Sequence, residues 1–508
     1  MPFIVNPESI FRLISLEVER HPVLGSIALT FDNDEYVQSP TKIYTTVIIG
    51  ANGIGKTYLL KVIVDIFNYV HELNHSDSTP RSLGYSFEIR YWYNDHEFIV
   101  KNYTSGGPVR RNAKVADKMV CQINGNPIGV HECLLPNVIV ASAMTVTDKF
   151  SVKSVGDMYR YQGIRSENSP STTGTRTLVR KTVEGLVRCL KVKGGYREEL
   201  ALILDVLGFK HTLKVRYQVK YKDVFLREDL NPELLCDIFD NKDKQFFQHR
   251  DSDLWGKRYF DNIRHDRRVL ERICNYYQRL SRETDIKQSR LSIGYDLFQE
   301  GIERDAETML LLSRLDIVSF PTIIIEKQHQ YDFVNSSSGE THLLCQMIGI
   351  MSEIKRGGLV LIDEPETSSH PNWQIQYIGW LKRIFREYGS CHFIISTHSH
   401  FLLSDLDPET STIIALERKD GNLKNIGEGL NTFCWSTDDI LYRVFHVRNT
   451  RNSVFEEKVA NLYHRISQSD TDKDAILSLI TELSTYQLAP GDPLRRLITK
   501  ATAYVESI

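Results

Sequence analysis

No stretch of the 508 residues approaches the roughly 18 uninterrupted apolar positions that a membrane span requires. The start, Met1-Pro2-Phe3-Ile4-Val5-Asn6, lacks a basic segment leading into an apolar one, so no secretory signal is expected. Cysteine is sparse: eight residues lie scattered with no C-x-x-C pair, which argues against a zinc site or a disulfide framework and fits a reducing cytoplasm. Cys345 and Cys391 lie in apolar surroundings and read as small core residues. Charge of one sign is also lacking. A net charge of −3 gives no global attraction to nucleic acid or to an anionic membrane, so such binding would need a local basic patch. Internal repeats and low-complexity segments are absent.

What the chain does have is a set of four short runs. The first, Gly50-Ala51-Asn52-Gly53-Ile54-Gly55-Lys56-Thr57, follows the apolar strand Tyr44–Ile49 and opens a helix expected over Tyr58–Leu73. In that strand–helix setting G-x-x-x-x-G-K-[ST] is a phosphate cradle. Gly50, Asn52, Gly53 and Gly55 let backbone N–H groups turn inward, and the helix start adds about half a positive charge. Lys56 reaches the β- and γ-oxygens, and Thr57 offers its hydroxyl to Mg²⁺. The third run, Leu359–Ile362, ends in two adjacent carboxylates. Asp363 is placed to hold the metal, and Glu364 to orient or deprotonate an attacking water. The fourth, Ser396-Thr397-His398, closes the strand Phe393–Ile395 and puts an imidazole where a γ-phosphate would lie. His400, two residues on, has no such claim.

The second run, Ser336-Ser337-Ser338-Gly339-Glu340, opens another helix. Ser337, Ser338, Gly339 and Glu340 suit a phosphate, but the chain's own γ-phosphate is already served by Lys56, Thr57 and Asp363. This second site therefore belongs to a neighbour's nucleotide. Its structural alternative is a plain N-cap, with Glu340 completing a capping box.

Around these runs, Phe11–Leu16 and Ser26–Phe31 alternate as strands, Tyr85–Tyr93 and Glu97–Val100 form a hairpin about Asn94-Asp95, and Asn137–Ser142 is a buried strand. A polar turn is expected over 75–80 and a loop over 165–176. From 177 to 310 helical patterns dominate, at 177–206 and 254–283, with one strand-like stretch between them. The expected organisation is α/β. A nucleotide-binding head in two parts, 1–150 and 311–415, is split by a largely helical insertion, 151–310, and followed by a helical region, 416–508.

Together the four runs resemble the Walker A, signature, Walker B and switch elements of ABC-type ATPases, in the soluble RecF/SMC branch. The stretch Asp363-Glu364-Pro365-Glu366-Thr367-Ser368-Ser369-His370-Pro371-Asn372-Trp373-Gln374 is similar to the D-E-P-E-x-x-L-H-P-x-W-Q run of OLD-like ATPases, which covers their D-loop. Ser369 stands in place of the usual Leu, and Ser336 in place of the signature's opening apolar residue. No Gln occupies Ser142–Asp148, where the family's Q-loop falls. Leu134–Ile139, Thr147–Phe150, Tyr159–Gly163 and Asp439–Phe445 resemble ATPase subunits of Septu and retron-associated anti-phage systems. The resemblance implies ATP and Mg²⁺ as cofactors, a homodimer or higher even oligomer, and a separate nuclease subunit under the ATPase's control. It also leaves room for a RecF/SMC-like repair or chromosome-maintenance ATPase that binds DNA directly, or a nucleotide-gated scaffold with almost no turnover. OLD nucleases carry a Toprim domain after the ATPase. Here Glu428-Gly429 follows no apolar strand, Asp405-Leu406-Asp407 comes too early, and no H-N-H constellation is found, so the chain is expected to cut nothing itself.

Lys214–Lys222 alternates strictly between Val/Tyr and cationic positions. One reading is a face laid along a phosphate backbone. The reading favoured by the pattern alone is a solvated edge strand whose lysines block edge-to-edge pairing. Arg264, Arg267, Arg268 and Arg272 on the following helix are partly neutralised by Asp266 and Glu271. The helices at 437–447 and 454–466 have amphipathic faces suited to packing or to a partner.

Overall fold

The computed structural model describes residues 9–32, 42–75, 80–103, 119–165, 174–192, 194–240, 253–283, 291–419, 422–427, 429–430, 432, 435–445, 452–468, 470–486, 488 and 492–507. The centre of the expected turn at 76–79, most of the loop expected at 165–176, and Glu428 lie outside them.

Three sheets organise residues 1–437. The first is antiparallel, in the order β2-β1-β4-β5-β6-β7, with β1 Phe11–His21, β2 Gly25–Thr30, β4 Ser86–Tyr93, β5 His96–Lys101, β6 Val120–Ile123 and β7 Asn126–Ile128. The second has seven strands in the order β17-β16-β3-β15-β14-β8-β9. These are β3 Tyr44–Gly50, β8 Ile139–Ala143, β9 Tyr159–Gly163, β14 Leu359–Asp363, β15 His392–Thr397, β16 Ser411–Lys419 and β17 Asn422–Asn425. All of its pairings are parallel except β16 with β17. The unbroken apolar runs follow from this: a parallel strand covered on both faces has no wet side to place polar residues on. Leu359, Val360, Leu361 and Ile362 are all fully buried.

The helix Lys56–His75 packs its apolar stripe into the core between these two sheets, where Phe67 meets Phe11 and Tyr91 at ring-centroid distances of 5.8 and 5.5 Å. Two buried polar side chains tie the sheets together. Arg12 of β1 donates to the carbonyls of Cys391 and Gly389 at 2.8 and 2.7 Å. His392 accepts from the Leu13 amide through Nδ1 at 3.0 Å and meets the Thr46 hydroxyl through Nε2 at 2.8 Å. Cys345 and Cys391 are buried, as small core residues would be.

The third sheet, antiparallel and in the order β11-β10-β12-β13, comprises β10 Leu213–Gln218, β11 Ser292–Asp296, β12 Thr322–Glu326 and β13 Gln330–Asp332. It corrects the edge-strand reading of Lys214–Lys222. β10 is an interior strand, bonded to β11 on one side and β12 on the other, and it ends at Gln218. The boundary drawn at 311 falls inside this unit, since β12 and β13 complete its sheet. Likewise the seven-stranded sheet continues to Asn425, past the boundary drawn at 415. Helices Thr175–Val192, Tyr196–Val206, Asp253–Ile263, Arg267–Glu283 and Glu303–Arg314 supply the helical character of the middle of the chain.

Residues 438–508 form a separate compact unit. Its helices Ser453–Ser467, Lys473–Ser484 and Pro493–Ser507 share a small core that includes Leu462, Ile476, Leu483 and Ala501. Among the described residues no helix is long and apolar enough to cross a membrane.

Candidate functional site

The carboxyl ends of β3, β14 and β15 lie side by side, because Asp363 pairs in register with Ser396, and Thr397 with Ile49. Side chains leaving those ends must converge, as expected at the carboxyl edge of a parallel sheet. After β3 the chain turns through residues 50–55 and enters the helix at Lys56. Gly55 stands at φ 115°, a conformation L side chains rarely adopt, so the loop needs glycine there, and a Cβ would also press on the end of Leu24 at 2.8 Å.

Lys56 is only 4% exposed. Its Nζ donates to the loop carbonyl of Gly50 at 2.8 Å and lies 2.9 Å from His398 Nδ1. Burial brings this ammonium down to about 8, against the opposing pull of Glu364, Glu366 and Asp363. Thr57 Oγ1 donates to Asp363 at 2.9 Å, and the Ser396 hydroxyl donates to the same carboxylate. Asp363 is 1% exposed, and burial raises its carboxyl to about 6 although both hydroxyls pull it down and Glu364 adds to the rise.

Glu364 follows in the left-handed region at φ 49°, with its amide donating to the Ser396 carbonyl at 2.9 Å. A non-glycine residue with that backbone is a local strain worth noting at a site. The turn aims its side chain away from the strand, so that Glu364 Oε1 lies 2.8 Å from His398 Nε2. This hydrogen bond holds Glu364 below the usual carboxylate range. Lys56, His398 and Glu364 thus form one chain of contacts, and Thr57, Asp363 and Ser396 form another beside it.

The signature run lies apart from both chains of contacts. The Glu340 amide donates to Ser337 Oγ at 3.3 Å and the Ser337 amide to Glu340 Oε2 at 3.0 Å, a complete capping box on the helix Ser338–Glu353. Lys327 pairs with Glu340 at 2.5 Å. A Cβ on Gly339 would stand 2.6 Å from the carbonyl of Ser368, so this glycine lets the signature helix press against the D-loop run of its own chain. Among the described residues, the side-chain hydrogen bonds of Ser337 and Glu340 run to each other's backbone and to Lys327, with none to the phosphate loop. Asn52 and Gly53 lie exposed on that loop.

Two functional contributions escaped sequence reasoning. Ser396 anchors Asp363, as its place opposite that carboxylate in a parallel register would have revealed. Glu366 accepts the His398 backbone amide through Oε1 at 2.5 Å, while burial raises its carboxyl and leaves Oε2 without a hydrogen-bond partner. Its signal was the second acid of the Asp-Glu-Pro-Glu run. In the stretch Ser142–Asp148, Asp148 is buried and takes Tyr161 Oη and Arg165 Nε at 2.9 Å each.

This fold and this set of strand-end side chains are arranged as in a P-loop nucleotide-binding site. Residues 214–404 match the family model described as "AAA domain, putative AbiEii toxin, Type IV TA system". The Septu protein PtuA of Bacillus thuringiensis is 24% identical over 232 residues, covering 42% of this chain and 55% of that protein. The chain therefore spans about half the length of the curated relative it matches. Among solved structures, the SMC head domain from Thermotoga maritima is 13% identical, with 82% of this chain and 98% of that chain covered and a TM-score of 0.34. The recombination mediator protein RecF with ATPrS is 14% identical, with 83% and 99% covered and a TM-score of 0.29. Over part of its length, then, the chain is similar to an AAA-domain family and to the Septu protein PtuA.

Proposed function

We propose that two copies of this chain close around two ATP molecules, hydrolyse them, and through closing and opening control a separate effector. The observation that carries this reading is the division of the site. Lys56, Thr57, Asp363, Glu364 and His398 are mutually connected at one sheet edge, while Ser337–Glu340 cap a helix that bonds elsewhere. A phosphate-binding helix start held away from its own phosphate loop serves a second subunit's nucleotide.

The donor set fits Mg²⁺. A carboxylate whose proton affinity is raised by burial sits against a threonine hydroxyl, and both are hard oxygen ligands. Asp363 and Thr57 would hold the ion, which would neutralise charge on the transferring phosphoryl group. The chain's own residues do the rest. Lys56 leaves the Gly50 carbonyl to meet the β- and γ-oxygens. Glu364 accepts the proton of the water that attacks the γ-phosphorus, as the bond to the ADP oxygen breaks. His398, bonded to Glu364, reports whether the γ-phosphate is present, and Glu366 fixes its backbone.

Control of a nuclease in bacterial anti-phage defence is the effector reading that the Septu relative supports. Glu364→Gln tests the core of the proposal. It should lower steady-state phosphate release by about a hundredfold to ten-thousandfold, while ATP stays bound and light scattering reports a stabilised dimer. Turnover equal to that of the parent protein would remove Glu364 from the role of base.

A further inference from the structure

A cleft of about 810 Å³ lies away from the phosphate loop, between β9, the helices Thr175–Val192, Asp253–Ile263 and Glu303–Arg314, and the last turn of the signature helix. Its volume is that of a small-molecule site. Five cationic side chains and three carboxylates line it, so its balance is positive in a protein whose net charge is negative.

At its inner end the Glu353 side chain is only 10% exposed and is held by three donors. Arg188 Nη2 lies at 2.6 Å, Gln162 Nε2 at 3.1 Å and Arg160 Nε at 3.4 Å. Burial still raises the Glu353 carboxyl, so the arginines do not fully offset its desolvation. Across the cleft Arg314 lies over the ring of Tyr259 at 5.8 Å and pairs with Glu184 at 3.2 Å. Arg160 is also held by Asp157 at 2.7 Å and by the Gly156 and Tyr159 carbonyls, whereas Arg188 meets Glu353 through Nη2. A planar fork engaged at one nitrogen is suited to phosphate, and an adjacent tyrosine face is suited to a base.

We propose that this cleft binds a nucleoside phosphate of single-nucleotide size. Its phosphate takes Arg188 from Glu353, and its base lies against Tyr259. Glu353 is the last residue of the helix that begins at the signature run, so occupancy loosens the far end of that helix and alters the rate of ATP turnover. The regulatory half of this proposal rests on the ATPase reading above, whereas the binding half does not.

The test uses the full chain carrying Lys56→Ala, which disables the phosphate loop, titrated calorimetrically with AMP, GMP, CMP, UMP and inorganic phosphate. At least one nucleotide should bind once per chain, about tenfold tighter than phosphate, with Arg188→Gln weakening it about tenfold. Glu353→Gln, by removing the competing charge, should tighten binding, a change that a folding defect would not produce. No binding below millimolar, or indifference to both substitutions, overturns the site. Phosphate binding as tightly as every nucleotide overturns the nucleoside assignment. In the protein with Lys56 intact, a saturating nucleotide that leaves ATP turnover unchanged overturns the regulatory half alone. Absence of any ATP turnover would instead sink the earlier reading and leave the cleft standing.

Discussion

The seven-stranded sheet and the four-stranded sheet both carry charged side chains, and they treat them in opposite ways. At the carboxyl edge of the first, Lys56 and Asp363 are 4% and 1% exposed, and burial moves both away from their ordinary proton affinities. On the second and its helices the charges face water or a matched partner. Lys220 pairs with Asp316 at 2.5 Å, Arg267 with Glu271 at 3.0 Å and Arg272 with Glu307 at 3.0 Å, while Arg216 is simply exposed. Surface pairs of that kind contribute little, about 0–1 kcal/mol each. The alternating cations Lys214 and Arg216 make the four-stranded sheet the more conspicuous of the two in the sequence, and burial reverses that order. At the strand ends charge held at a desolvation cost marks chemistry, and charge dispersed in solvent marks a surface.

The sharpest way to break this contrast is Lys56→Ala. If the buried ammonium is there for a triphosphate, ATP affinity measured by calorimetry should fall by about a hundredfold. An unchanged affinity would make Lys56 a structural cation no different from Lys220. Next comes Ser338→Arg, at the helix start that stands outside the linked set. ATP should bind the isolated chain as before, while ATP-dependent pairing and hydrolysis disappear. A variant that hydrolyses normally would place the whole reaction within one chain.

How much of this was legible in the sequence depended on distance along the chain. The runs 50–57, 359–364 and 396–398 are chain-local, each a strand end and the turn after it, so residue order alone announced them. Glu366 and Ser396 were visible only as members of their runs. Their partners His398 and Asp363 lie about thirty residues away and are brought alongside by the parallel register of β14 with β15. The place of β10 was read wrongly for the same reason. Alternation reports that one face of a strand is wet but says nothing of its two flanks, and those are filled by residues 292–296 and 322–326, far along the chain. The cleft at Glu353 left no trace, since its arginines come from separate elements and no spacing rule joins them.

Strand β15 sharpens the comparison within one element, because it opens on His392 and leads into His398. His392 is fully buried, and burial, aided by nearby Arg12, lowers its pKa well below 6.5. Below pH 6.5 the unfolded chain takes up a proton that folded His392 refuses, so stability should decline as the medium is acidified through that value. His392→Gln should cost about 1–3 kcal/mol at pH 7.5 through its broken hydrogen bonds and should flatten the acid limb of the denaturant midpoint against pH. An acid limb identical to that of the parent would assign the decline to other groups.

The smallest effect is expected from Lys214→Ala combined with Arg216→Ala on β10. Both side chains leave the face opposite Val215 and Tyr217, which are fully buried, so the double change removes charge without touching the core. Stability should shift by no more than about 0.5 kcal/mol, and ATP affinity should stay the same. If the strand's wet face is only a surface, the retention of duplex DNA by the parent and by the variant should match at every salt concentration. A salt-dependent retention lost with these two residues would make the four-stranded sheet a nucleic-acid face after all, and would show that dispersed charge here does more than keep the strand in water.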